Sequence, residues 1–352
     1  MHPLFAIVLP GLERVAADEI KRCGFEQVNV VKGGIEFVGR PALANVMLGC
    51  PTRILLRVGQ FKARSFAQLE KGIKALPLAG FGGVTPHARC RKSKLYHTKA
   101  IEERVAQWVS PGPLSLLIRI ERDRCTVSVD TSGDRLHRRG WRTEQGPAPL
   151  RETIAHAFLR WAGWTPGQAL LDPMCGAGTI PIEAAIWAHG RWPGAGRTFP
   201  CHQWTDIRTP EPRSEVQSVI HGSDKDASMV EMASRNAVRA GVSIHWSTME
   251  AKAVLPPAPT GLLLGNPPYG KRIHDADPYG QLGTLLKGAF RGWDAAIIVP
   301  HQGAIKRLGR RPSKRLRLRQ GGHVVEWVYL AATDKGERIG RRDPRADGPR
   351  PG

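Results

Sequence analysis

Ala169-Leu-Leu-Asp172-Pro-Met-Cys175-Gly176-Ala-Gly178-Thr179, running into Ile180-Pro-Ile-Glu-Ala-Ala-Ile-Trp-Ala188, is the stretch on which the fold turns. A short apolar run over Ala169–Asp172 ends in an acid, passes through a Gly-x-Gly turn and enters an apolar helix over Ile180–Ala188. Strand, glycine turn and helix in that order open the nucleotide-binding half of a doubly wound α/β sheet. The third glycine of a dinucleotide site is missing between Ile180 and Ala188, and no Gly-Lys-Ser/Thr follows. Neither NAD nor ATP is therefore favoured.

Working outward, the α/β alternation continues. Val219–Ser223 reads as the second strand and ends at Asp224, where an acid commonly accepts the hydroxyls of a ribose. Asp226 reads as the N-cap of a helix over Ala227–Ala240. Val242–Trp246 is the expected third strand, followed by Met249-Glu250, and Leu262–Leu264 the fourth. A helix over Tyr279–Gly292 and a strand over Ala295–Val299 come next. Arg315–Arg319 and Val324–Ala331 then flank Gln320-Gly321-Gly322, a tight hairpin that sets an antiparallel strand into an otherwise parallel sheet. That ending fits a methyltransferase core rather than a dinucleotide dehydrogenase.

The fourth strand stops abruptly at Gly265-Asn266-Pro267-Pro268-Tyr269-Gly270. Consecutive prolines donate nothing to a sheet ladder and hold the residue before each in extended geometry. Asn266 brings an amide oxygen beside directed peptide carbonyls, and Tyr269 a flat face. Such a set accepts the N–H bonds of a planar amino group while stacking on the ring that carries it, which aims the nitrogen lone pair at an electrophile. An ordinary strand-ending loop is the plainer reading.

Upstream, Leu4–Leu9, Gly11–Cys23, Val28–Val31, Ile35–Val38, Pro41–Gly49 and Ile54–Gly59 spell β-α-β-β-α-β, with Gly33-Gly34 as the hairpin turn. From Phe61 to about Gly133 a second small α/β unit is expected, with helices near Ser65–Leu76 and Thr98–Val109 and strands Leu114–Glu121 and Cys125–Thr131. Between them lies a basic stretch, His87 to His97, whose alternation sets Arg89 and Arg91 on one strand face with Lys94 near its end. Phosphate contacts are one reading and a solvated strand face the other. Gly133–Arg142, carrying Arg138, Arg139, Trp141 and Arg142, reads as a basic strand or arm before an inter-domain joint at Gly146–Pro149. It grips RNA by charge and stacking on one reading, while Trp141 is an interface core residue on the other. Leu150–Ala162 is an amphipathic helix, and the irregular Gly190–Pro212 reads as a substrate lid or as packing on the sheet.

Composition agrees with a polyanionic partner. The chain has 52 Lys plus Arg against 31 Asp plus Glu, a net charge of +21, and a hydrophobic fraction of 41%, enough for real cores. The six cysteines form no C-x-x-C pair, which argues against a zinc site or redox dithiol and fits reduced thiols in a cytosol. Met1–Leu9 lacks the basic start of a signal peptide, and no apolar run reaches the length of a membrane span. A soluble cytoplasmic protein needing no metal is expected.

Asp172–Thr179, Gly222-Ser-Asp-Lys-Asp226 and Asn266-Pro-Pro-Tyr-Gly-Lys-Arg272 together resemble class I S-adenosylmethionine-dependent RNA methyltransferases. The segment from Asp130 to Leu150 is similar to that of the THUMP-containing guanine-N2 methyltransferases, a group acting on large-subunit ribosomal RNA and transfer RNA. The resemblance reaches to about Thr333. It implies a ferredoxin-like domain over 1–60, a THUMP RNA-binding domain over 61–146, a Rossmann-like methyltransferase domain over 147–333 with a C-terminal hairpin, and a disordered basic tail over 334–352. It implies S-adenosylmethionine as cofactor, held by Asp172, Cys175, Gly176, Gly178 and Thr179 at the methionine end, by Asp224 at the ribose and by Met249 and Glu250 at the adenine. Asn266, Pro267 and Tyr269 are then the catalytic set, and Arg89, Arg91, Lys94, Arg138, Arg139 and Arg142 RNA contacts. Structured RNA, rRNA ahead of tRNA, is the implied partner of a monomeric enzyme that transfers a methyl group to the exocyclic N2 of a guanine. Glu250 departs from the family pattern, where Asp is usual, and the second methyltransferase domain of the fused ribosomal enzymes is absent. Methylation of adenine N6 or of a protein glutamine, and a non-catalytic RNA-binding role, are the alternatives.

Overall fold

The computed structural model describes residues 1–146, 150–204, 210–268 and 277–333. The N-terminal half comprises β1 (His2–Ile7), α1 (Glu13–Arg22), β2 (Glu26–Val31), β3 (Gly34–Gly39), α2 (Pro41–Met47), β4 (Arg53–Lys62), α3 (Phe66–Lys74), β5 (Val84–Arg91), α4 (Thr98–Ala106), β6 (Leu114–Glu121) and β7 (Arg124–Asp130). The expected β-α-β-β-α-β unit is present as β1 to β4, but it does not close on itself. β4 pairs with β7, giving one seven-stranded sheet in the order β2-β3-β1-β4-β7-β6-β5. β4 is long enough to serve both halves, and a register shift between Arg57 and Gly59 marks the junction.

Strand alternation decides which side of this sheet is buried. Leu4, Ala6, Ile35, Phe37, Ile54 and Leu56 pack in one core with helices α1 and α2. Leu116, Ile118, Val127 and Val129 pack in another with α3 and α4. Register sets Leu56 opposite Val129 and Val129 opposite Leu116, so both cores lie on the same side. The other side carries Arg57, Thr126, Arg119 and Arg89.

The second half comprises α5 (Glu152–Ala162), β8 (Leu170–Asp172), α6 (Thr179–Ala188), β9 (Ile220–Asp224), α7 (Ala227–Ala240), β10 (His245–Thr248), β11 (Leu262–Gly265), α8 (Pro278–Lys287), β12 (Asp294–Val299), α9 (Gln302–Leu308), β13 (Lys314–Gln320) and β14 (His323–Leu330). The sheet order is β10-β9-β8-β11-β12-β14-β13. β8 to β12 run parallel, and β14 is antiparallel to both its neighbours, as the hairpin predicted. From β8 the chain winds outward through β9 to β10, then returns to β11 on the opposite side of β8. A doubly wound sheet opens its binding crevice at such a reversal, beyond the carboxyl ends of the two strands.

Several local expectations shift. The third strand begins at His245 rather than Val242, because Gly241 at φ +65 and the bond from Val242 N–H to Ala237 O still belong to the cap of α7. The helix expected to Gly292 stops at Lys287, where Gly288 leaves helical geometry. α9 carries no strong sequence signal and was not expected. Gly133–Arg142 forms turns rather than a strand, and within it Leu136 and Trp141 are core residues, Trp141 packing at the joint. The described part of Gly190–Pro212 does not behave as a lid. Gly194 N–H bonds Val46 O, Trp204 packs edge-on against Phe81, and Phe199 and Cys201 are buried, so this segment braces the two halves.

The joint is also ionic. Glu19 on α1 accepts from the N–H groups of Gly49 and Cys50 at 2.9 Å each, lies 3.2 Å from Arg160 Nε and 2.9 Å from His156 Nε2, and is fully buried. His156 Nδ1 stands 3.3 Å from Glu183 Oε2, whose other oxygen is 3.3 Å from Arg139 Nε. Arg139 also donates to Leu136 O and, at 2.7 Å, to Gly49 O. The chain thus ties α1, α5, α6 and the arm together through buried groups of opposite charge set close to one another.

Candidate active site

Two strand ends build the site. Register pairs Leu262 with Leu170 and Leu263 with Leu171, so the chain leaving β11 through Gly265 and Asn266 rises beside the turn that follows Asp172. On the other side Asp172 pairs with Gly222, which places Asp224 at the same carboxyl edge. The parallel sheet therefore collects the acid of β8, the acid of β9 and Asn266 after β11 around the reversal point.

The glycine turn is held from β9. Cys175 N–H donates to Ser223 O at 2.9 Å, and Gly176 N–H donates to Asp224 Oδ2 at 3.0 Å. The second oxygen of Asp224 accepts from Asp226 N–H at 3.1 Å, and Met249 N–H donates to Asp224 O at 2.9 Å. Gly176 has φ +52, and a Cβ there would meet no atom within 4 Å: the crest of the turn borders open space. Gly178 differs. Its φ is +82, and a Cβ would fall 2.7 Å from the Trp246 ring and 2.9 Å from Ala233 Cβ. Trp246 presses equally on Gly222, where a Cβ would lie 2.3 Å from its ring.

The electrostatics follow from this crowding. Asp172 is buried, with Oδ1 accepting from Met174 N–H at 3.1 Å. Burial pushes its carboxyl up to about 8, the neighbouring Asp224 charge adding to the effect and the Met174 N–H opposing it. Burial and the two carboxylates push the Cys175 thiol well above its ordinary range, so it is a packing residue rather than a nucleophile. Asn266 is half-buried, and its Oδ1 is shielded from solvent with no donor among the described residues. A buried amide oxygen without a partner is costly unless something else supplies the hydrogen bond. Pro267 is buried and Pro268 exposed. Tyr269 lies outside the described residues.

The structure brings Asp172, Cys175, Gly176, Gly178, Thr179, Asp224, Met249, Asn266 and Pro267 to one edge. Met249 is 38% exposed there, and Glu250 is exposed at the start of a short turn over Ala251–Ala253. Arg139 and Arg142 do not serve as expected. The Arg139 side chain is 1% exposed and paired with Glu183; the Arg142 side chain is 8% exposed, binding Glu152 at 2.9 Å and Leu150 O at 2.7 Å. Both are spent on the joint and have nothing left for a phosphate. Arg138 remains exposed, 3.4 Å from Asp134. Arg89, Arg91 and Lys94 are exposed on or beside β5, far along the chain from this cleft. Ser223, whose carbonyl grips the turn, and Trp246, which fixes both glycines, were missed; only the alternation of a correctly placed third strand pointed to the latter.

The arrangement suits a ligand with a hydroxylated ribose at Asp224 and a compact group over the open Gly176 crest. It has the fold of class I methyltransferases: a parallel sheet read at its reversal point and closed by an antiparallel hairpin. The chain belongs to the RMKL-like methyltransferase family, whose methyltransferase domain matches residues 139–328, and residues 3–55 match the RlmL ferredoxin-like domain. A Synechocystis sp. protein named as an RNA methyltransferase is 33% identical over 362 residues, covering 91% of this chain and 94% of that protein. A protein of Clostridium difficile 630 named as a methylase superposes with TM-score 0.83 at 27% identity, over 96% of this chain and 99% of the other. A Listeria monocytogenes protein named as an N6-adenine-specific DNA methylase gives 0.81 at 29%, over 94% and 96%. SMU.472, a methyltransferase solved in complex with SAH, gives 0.81 at 27%, over 96% and 99%.

Proposed function

We propose that this protein transfers a methyl group from S-adenosylmethionine to the exocyclic N2 of a guanine in structured RNA, large-subunit rRNA ahead of tRNA, and that it works as a cytoplasmic monomer. The supporting observation is the buried Oδ1 of Asn266, with no donor among the described residues, at the reversal point of a methyltransferase sheet. The cofactor supplies an electrophilic methyl on a sulfonium. Asp224, already oriented by Gly176 N–H, accepts from the ribose hydroxyls, and Met249 covers the adenine. Asp172 faces the cationic methionine end. Asn266 Oδ1 accepts one N–H of the target amine, which turns the nitrogen lone pair into the cleft; the Pro267 carbonyl takes the second and Tyr269 stacks on the base. The base must leave its stack to reach this depth. Its proton departs after transfer, so no strong base is needed. The chain divides on this reading into 1–60, 61–146 as the RNA-binding unit, and 147–333, with 334–352 outside the described residues. The net charge of +21 and the Synechocystis relative's name favour RNA over protein.

Adenine N6 offers the same planar amine, and the Listeria neighbour is named for that base. Nucleoside mass spectrometry of rRNA and tRNA from a deletion strain separates the readings. Loss of N2-methylguanosine supports the proposal, whereas unchanged guanosines with loss of N6-methyladenosine refute the choice of base.

A further inference from the structure

The side of the seven-stranded sheet opposite α1 to α4 holds a groove of about 280 Å³ that straddles the β4 junction. Its lining includes four cations, Lys32, Arg57, Arg119 and Arg124, and one acid, Glu121. Glu121 is already taken, 2.6 Å from Arg119 and 3.8 Å from Arg91. The charge extends sideways, since Arg89 pairs in register with Arg119 on the adjacent strand and both are exposed.

Arg57 is the informative member. Its guanidinium lies over the Phe5 ring at 4.0 Å and donates to Ser128 Oγ at 3.0 Å, with no carboxylate at ion-pair distance among the described residues. Burial lowers its pKa, Glu36 works against that, and Arg119 adds to the lowering. A half-buried cation beside like charges is relieved by an anion in the groove. The occupant's chemistry is narrowed by the aromatic inventory. Phe5 is the ring in the lining, and Arg57 covers it, leaving no open face for a base to stack on.

We propose that this groove holds the sugar–phosphate backbone of a single-stranded segment of the RNA substrate, by charge and without regard to base. It rests on the RNA reading above. It differs from a grip at the joint arm, because Arg139 and Arg142 are buried there, and it spans both N-terminal units rather than residing in the second alone.

The test uses the full chain with Lys32, Arg119 and Arg124 changed together to Gln. All are exposed, so the fold is retained, which thermal melting by circular dichroism checks. Binding of labelled mixed-sequence single-stranded RNA and of oligouridylate is followed by fluorescence anisotropy across a salt series. Each lost phosphate contact lowers the slope of log K against log salt by about 0.7 for single strands, so the triple variant loses about 2 from its slope on both probes. A matched variant, Lys71, Lys74 and Lys99 to Gln on the helix-covered side, keeps the wild-type slope. An unchanged slope in the groove variant, an equal drop in the matched variant, or a loss confined to one probe overturns the proposal while leaving the methyltransferase reading intact. A wild-type chain that binds neither probe nor its own rRNA and tRNA overturns both.

Discussion

Glu19 is the residue whose replacement measures the joint. It is fully buried and satisfies two backbone N–H groups, Arg160 and His156 at once. Glu19→Gln keeps the shape but removes the charge and turns an NH2 group toward groups that themselves donate. Arg160, with a 7% exposed side chain, then loses its carboxylate, although its contact over the Trp187 ring at 4.6 Å remains. Breaking one member of a buried charge pair typically destabilises by about 3–5 kcal/mol. For 352 residues, at an unfolding entropy of about 2.1 cal/mol/K each, the product is about 0.74 kcal/mol/K, so the midpoint falls by about 4–7 °C. Differential scanning calorimetry reads this directly. The effect depends on pH. Burial pushes the Glu19 carboxyl up, but Arg160, His156 and the Cys50 N–H outweigh it and leave it well below the usual carboxylate range. A depressed carboxyl contributes stability that is present above its unfolded pKa of about 4.5 and fades as pH falls below it. The gap between wild type and variant should therefore be full at neutral pH and narrow in acid. A midpoint within about 1 °C of wild type at neutral pH would show that the ion chain is incidental to the joint.

Three further outcomes test the cleft. Asn266→Ala should lower kcat by about 100-fold or more, the loss typical of removing one positioned hydrogen-bonding group, while calorimetric cofactor affinity stays within about twofold; equal turnover would remove Asn266 from the chemistry. Because the Asp172 carboxyl titrates near 8 without ligand and must ionise to face a cation, cofactor affinity should weaken by up to about tenfold per pH unit below that value. The same raised pKa makes the ligand-free fold lose stability as pH climbs from about 4 toward 8, and Asp172→Asn should flatten both profiles; a flat wild-type profile contradicts the assignment. Gly178→Ala, forced to φ +82 with its methyl 2.7 Å from Trp246, should destabilise by about 1–3 kcal/mol and abolish cofactor binding, whereas Gly176→Ala carries only the backbone strain of φ +52 with open space around its methyl and should melt measurably higher than Gly178→Ala; equal melting of the two variants would refute the distinction.

Local chemistry made much of this legible from residue order. The helix over Ala227–Ala240 and its Asp226 cap, the strand Leu114–Glu121, the hairpin at Gly321-Gly322 and the glycine turn after Asp172 all rest on interactions within a few positions along the chain. The Asn-Pro-Pro run announced a strand end for the same reason. α9 escaped because seven residues of mixed character leave little periodicity to read.

Sequence alone thus determined most of the order of elements and where the glycine turn and the strand-ending Asn-Pro-Pro run fall, since propensity, capping and proline geometry act over short range. Tertiary structure decided what those side chains are free to do. Arg139 and Arg142 look like RNA contacts among their neighbours, yet Glu183, Gly49, Glu152 and Leu150 O consume them. The two N-terminal units read as separate, yet β4 joins them in one sheet and creates a groove belonging to neither. Asn266 and Asp172 lie far apart in the chain and come to one edge of the sheet because parallel pairing of β8 with β11 aligns their carboxyl ends. Pairing register and burial are properties of distant segments in contact, which no single stretch of chain encodes by itself.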